Sequence, residues 1–168
     1  MTAVTITELH REIGLCQKHV EAQRLEGSSI EMYLTAHLMA LACATFETDF
    51  KRLALQRIGT QTDPFVATFL EAAVEKTWRG LRLNDLAGFL AHFDKSVKET
   101  FKQDTLNTPA AQSFTNIVIN RNRAAHGEHF NMTLRELAQS LVSAESVLNV
   151  ALHALTSRSL DQASSSLD

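Results

Sequence analysis

Residues 133–155 read TLRELAQSLVSAESVLNVALHAL, and the reading of this stretch decides the fold. Thr133 is followed three residues later by Glu136, the spacing at which each side chain satisfies the other's orphan amide at a helix start. From there Leu134, Leu137, Leu141, Ala144, Leu148, Ala151 and Leu155 alternate intervals of three and four. That period predicts one long amphipathic helix whose seam serves either inside a bundle or between subunits, the core of the same chain being the simpler use.

The same period recurs upstream. Thr108-Pro109 joins a capping residue to a proline at the first helical position, where the N–H that proline lacks would be unpaired anyway. The helix it opens is expected to run to about Asn120, with Phe114, Val118 and Arg121 at intervals of four and three. Asp63-Pro64 repeats the device ahead of Phe65, Phe69, Ala73 and Trp78, and Asn84 offers a cap for an amphipathic stretch from Leu86 through Phe101. Thr7 to about Leu25 carries Leu9, Ile13, Cys16 and Val20 and is closed by the turn chemistry of Gly27-Ser28-Ser29. Ile30 to about Ile58 has a wide apolar band of Leu34, Leu38, Leu41, Thr45, Phe46, Phe50 and Leu53, which predicts a central helix touching several neighbours. No strand-like alternation persists and no internal repeat is visible. The expectation is an all-α, up-down bundle of four to five helices in one domain over residues 1–156, with the helix after Asp63 as an insertion. Residues 157–168, serine-rich and without apolar period, are expected to form a flexible tail.

Composition bounds the function. The chain has 168 residues, 45% of them hydrophobic, and a formal net charge of −3. A domain of this size buries roughly 70% of its unfolded surface and needs neither disulfide nor metal to hold together. Cys16 and Cys43 lie on apolar helical stretches without metal-ligand spacing, which reads as buried thiols in a reduced compartment. The first residues carry no basic segment followed by a long apolar run, and the most apolar window, Tyr33 to Phe46, contains His37 and Thr45 and falls short of a membrane span. Cytoplasm and no membrane are the expectation. The acidic balance argues against a broad footprint on duplex nucleic acid but leaves room for a local basic site that takes one or two phosphates.

Chemistry concentrates in Arg121-Asn122-Arg123-Ala124-Ala125-His126-Gly127. In RNA cleavage the substrate's 2′-hydroxyl attacks its own phosphate, so the protein supplies no nucleophile and no metal or cofactor is obligatory. A base, an acid and a fixed cation suffice, and a histidine and an arginine fill those roles. The same residues also make an ordinary helix ending, with basic side chains near the last carbonyls and a glycine cap. His10, His19, His37, His92, His129 and His153 are scattered without the close pairing of a metal site. Arg79, Arg82 and Arg123 read as surface cations that also suit RNA phosphates.

Arg121-Asn122, three residues and then His126 is similar to the Arg-x(4–6)-His signature of the HEPN superfamily, in the form with a polar residue after the arginine. Leu83 to Phe93, Phe101, and Ile117 to Gly127 ahead of the capped helix at Thr133 resemble the second half of the bacterial group that includes RiboL-PSP-type domains. Tyr33 to Leu53, with Glu47 before Phe50, resembles its long helix. The resemblance covers roughly residues 30 to 155, and only the six-residue motif is specific. It implies a HEPN-like bundle that dimerises, with the two motifs meeting in one composite site. The implied activity is metal-independent endoribonuclease cleavage of single-stranded RNA in a toxin–antitoxin or antiviral defence system. The implied partners are RNA, a second copy of the chain and a cognate antitoxin such as a nucleotidyltransferase. It also implies catalytic roles for Arg121 and His126, an orienting role for Asn122, and supporting roles for Glu47, through a charge-assisted bond to Arg121, and for Arg123. A non-catalytic HEPN module that binds nucleotide or protein is the alternative.

Overall fold

The computed structural model describes residues 5–59 and 63–156, and every regular element among them is an α-helix. In chain order these are α1 (Ile6–Gln23), α2 (Ser29–Ile58), α3 (Pro64–Thr77), α4 (Leu83–Leu90), α5 (Lys95–Thr105), α6 (Pro109–Ala125), α7 (Leu134–Ala144) and α8 (Ser146–Thr156). The tail expected at 157–168 lies outside the described residues.

Eight segments stand where a bundle of four to five and the insertion after Asp63 were expected, because two amphipathic runs are broken without losing their apolar register. After Leu90 the chain tightens to i→i+3 bonds, His92 N–H to Phe89 O and Phe93 N–H to Leu90 O, and the Asp94 carboxylate then caps α5 by accepting the Ser96 amide at 2.8 Å. At Glu145 the Leu148 N–H turns to the Glu145 carbonyl at 3.0 Å, and His10 of α1 bonds the Glu145 side chain, separating α7 from α8. Leu134, Leu137, Leu141, Ala144, Ala151 and Leu155 are all buried in the same core cluster, with Leu148 half-buried beside them. The seam is therefore used inside the chain.

The caps form as their chemistry dictates at Thr5/Glu8, Ser28, Asp63, Thr108 and Thr133/Glu136. Other boundaries move. α4 starts after Arg82, which makes no side-chain cap bond, so Asn84 sits one turn-position inside the helix and does not cap it. α1 ends earlier than expected, at Arg24, whose φ of 52° puts it in the left-handed region and lets its amide reach back to Glu21 and Val20.

α2 is the hub, packing against α1, α3, α6, α7 and α8. By length and composition this helix would also pass as a membrane span, which the sequence window did not indicate. Ten of its residues are nevertheless buried in the bundle. Phe46 lies 5.0 Å from Phe114 of α6 between ring centroids, and Phe50 6.2 Å from the same ring. Trp78 continues the ladder, 6.4 Å from Phe50 and 5.3 Å from Phe89. α3 packs mainly on α2, buries only Val74, and leaves Phe65 and Phe69 86% and 71% exposed.

Glu31 ties three elements together. Its carboxylate, nearly buried at the start of α2, accepts the Gly27 amide at 2.7 Å and the Leu134 amide at 3.3 Å. Truncation would leave both amides without their acceptor in a dry setting. Glu31→Ala is expected to lower unfolding free energy by about 2 kcal/mol in urea titrations, against well under 1 kcal/mol for Glu12→Ala, at a half-exposed position.

Candidate functional site

α6 carries the motif, and its buried face fixes which way the motif points. Ala111, Phe114, Ile117 and Val118 are buried, and as α2 numbers rise from Cys43 through Glu47 to Phe50 their α6 neighbours fall from Arg121 to Phe114. The two helices run antiparallel. At the Arg121 end they border a cleft of about 430 Å³, closed by the turn between α3 and α4.

The helix continues to Ala125, past the expected end at Asn120. Its ending is a glycine cap. Gly127 has φ +69°, its amide reaches Ala124 O at 3.1 Å, and the Glu128 amide reaches Arg123 O at 2.9 Å, the paired bonds of a Schellman turn. His126 is the last residue before that reversal, exposed, with its backbone N–H shared between Asn122 O and Arg123 O. Asn120 secures the loop beyond by accepting the Asn131 amide at 3.1 Å.

Continuation of the helix offsets the two motif positions around its axis. Five residues of α-helix rotate by about 140°, and the glycine turn begins only after His126. Arg121 and Asn122 line the cleft, together with Glu47; His126 and Arg123 are not among its lining residues. Arg121 donates through Nη1 to Asn122 Oδ1 at 3.0 Å, a bond between neighbouring exposed side chains. Glu47 faces the same space, but its carboxylate is bonded to Lys51 at 2.8 Å and not to Arg121. Lys51 also pairs with Glu75 at 2.7 Å and lies 5.4 Å over the Trp78 ring. Burial opposes the charge on Lys51, but the bonds to Glu47 and Glu75 outweigh it and hold its pKa above the ordinary value.

Arg79, Arg82 and Asp85 complete the cleft wall. Nothing in the spacing of the sequence joins them to Arg121, although two arginines flanking Gly80-Leu81 directly after a tryptophan are a signal for a basic turn. A larger cavity of about 670 Å³ is lined by Leu83 and Asn84 of α4 and Gln112 and Asn116 of α6 among others. Its only charged lining residue is Lys102, so the chemistry favours the smaller cleft. Among the described residues no three His, Cys, Asp or Glu side chains gather as a metal site.

No family model matches the chain, and no curated protein or solved structure is significantly similar to it.

Cys43 forms part of the cleft floor. Burial pushes its thiol up to about 11, against the partial opposition of the Arg121 charge. The reactive thiolate is scarce far below that value. At pH about 8 the native protein is therefore expected to leave Cys43 unmodified by iodoacetamide, with labelling appearing only on unfolding; mass mapping of the labelled peptide checks this.

Proposed function

We propose that the protein is a HEPN-type endoribonuclease, an up-down helical bundle that acts as a homodimer on single-stranded RNA. The observation that carries the reading is the Arg121-Asn122-x3-His126 motif at the solvent-exposed end of α6, with Asn122 bonded to Arg121 beside an arginine-lined cleft. In the proposed reaction the 2′-oxygen bonds to phosphorus while the bond from phosphorus to the 5′-oxygen breaks. One His126 imidazole takes the 2′-hydroxyl proton, and a protonated His126 from the second chain delivers a proton to the leaving oxygen. Arg121 balances the charge that builds on the phosphoryl oxygens. The products are a 2′,3′-cyclic phosphate and a 5′-hydroxyl.

Two features support a site shared between chains. Arg121 lines the cleft while His126 lies at the helix end, about 140° around α6 on helical geometry, an arrangement that a second motif would complement. Tyr33, His37, Ala40 and Ala44 form an exposed, weakly polar stripe along α2, next to the α6 end that bears the motif. A toxin–antitoxin or antiviral setting in the cytoplasm, with a nucleotidyltransferase-like antitoxin, belongs to the same reading. A non-catalytic RNA- or nucleotide-binding module is the second reading, favoured by a cleft that gathers arginines without His126.

Incubation with labelled single-stranded RNA in EDTA tests the choice. Wild type is expected to cleave and His126→Ala to lose at least about 100-fold in rate, as general acid–base groups do. Equal cleavage by the variant, or none by either, rejects the enzyme; retained RNA binding without cleavage would favour the binding module.

A further inference from the structure

We propose that the cleft between the α3–α4 turn and α6 is a phosphodiester-binding subsite for single-stranded RNA, with Arg79 and Arg82 as its anchoring cations beside Arg121. The inference rests on the reading of this protein as one that engages RNA, and it adds two residues that lie outside the motif.

Charge comes first. Three guanidinium groups border one concavity, and among the described residues none of them forms an ion pair. Of the other arginines, Arg11, Arg52 and Arg135 pair with Glu12, Asp49 and Glu21, and Arg57 donates to the Leu155 carbonyl. Of the two carboxylates in the cleft wall, Glu47 is already neutralised by Lys51. Asp85 lies in the first turn of α4, where a carboxylate is held by the positive end of the helix. The cleft thus carries an uncompensated positive charge on a chain whose net charge is −3.

The turn that presents these cations is held in place. Trp78 is packed between Phe50 and Phe89, and Leu81 and Leu83 are half-buried against the main core. Gly80 sits at φ +143°, a conformation that side chains disfavour, and its Cα faces the Asp85 carboxylate closely enough that an added Cβ would lie 3.4 Å away. Arg79 and Arg82 therefore flank a fixed reversal. Guanidinium groups so placed suit the bidentate recognition of phosphate oxygens.

The occupant is a strand because of what surrounds the charge. Arg79, Arg82 and Arg121 are exposed, so the cleft is an open rim and not a cage for a small anion. A second cavity of about 670 Å³, lined from the first turn of α4 by Leu83 and Asn84 and from α6 by Gln112 and Asn116, offers amides able to bond the edges of an unstacked base.

The test uses the full-length protein and a labelled single-stranded DNA of about twelve nucleotides, which binds through the same phosphates but lacks the 2′-hydroxyl needed for cleavage. Anisotropy titrations across a salt series are run on wild type, on Arg79→Gln/Arg82→Gln, and on Arg11→Gln/Arg135→Gln as an equal charge change elsewhere. The first double variant should weaken binding about tenfold or more at about 50 mM salt and reduce the log–log salt slope by about 1.4, while the control stays near wild type. Unchanged slope and affinity in the Arg79/Arg82 variant, an equal loss in the control, or no binding by wild type would each overturn the proposal. Displacement of the strand by micromolar inorganic phosphate would overturn it in favour of a small-anion site. Cleavage of RNA of the same sequence, measured in parallel, separates the two ideas. Binding that depends on Arg79 and Arg82 without any cleavage removes the nuclease and leaves the subsite; cleavage with binding indifferent to them does the reverse.

Discussion

The contact between Phe46 on α2 and Phe114 on α6 is the constraint from which the rest of the arrangement follows. Both rings are fully buried, and Phe50 adds an edge contact to the same α6 ring. Aromatic pairs of this kind fix an interhelical approach more sharply than aliphatic burial does, because ring orientation and area both count. With that pairing set, α2 and α6 are antiparallel neighbours, and the C-terminal half of α6 runs out along the middle of α2. Arg121 then has to stand over Cys43 and Glu47, and the chain has to reverse beyond His126 to bring α7 back against both helices. The aromatic ladder extends from Phe50 to Trp78, which is why the α3–α4 turn and its two arginines lie at the same cleft.

Much of the helical framework was legible because its signals are local. A capping box such as Thr133/Glu136, or the Asp63-Pro64 and Thr108-Pro109 starts, depends on residues within one turn, and each forms as written. Helix breaks were not legible for the opposite reason. At Asp94 and Glu145 the apolar period runs through the interruption, so nothing in the pattern marks it. The break at Glu145 involves His10, which lies 135 residues away in the chain. α6 runs on past Asn120, whose side chain holds the Asn131 amide, to the glycine turn at Gly127 that the basic helix ending also allows.

The candidate site divides along the same line. Arg121 and Asn122 are adjacent in sequence and bonded in space, so their partnership could be read directly. Glu47 was expected to bond Arg121 and instead bonds Lys51, while lining the same cleft. Lys51, four residues on, has the ideal helical spacing for it and takes the carboxylate, a competition visible in the sequence. Arg79 and Arg82 belong to a distant segment, and only tertiary packing brings them to Arg121.

Within one chain the arginine lines an arginine-rich cleft and the histidine lies exposed at the helix end, about 140° further around α6. A site assembled from two motifs reconciles that arrangement with the proposed RNA cleavage. The most direct measurement is the cleavage rate of a purified heterodimer that joins one wild-type chain to one Arg121→Ala/His126→Ala chain through orthogonal tags. The account predicts a rate close to that of the doubly substituted homodimer, since one intact motif leaves the composite site incomplete. Half the wild-type homodimer rate or more would show that one motif suffices and would contradict it.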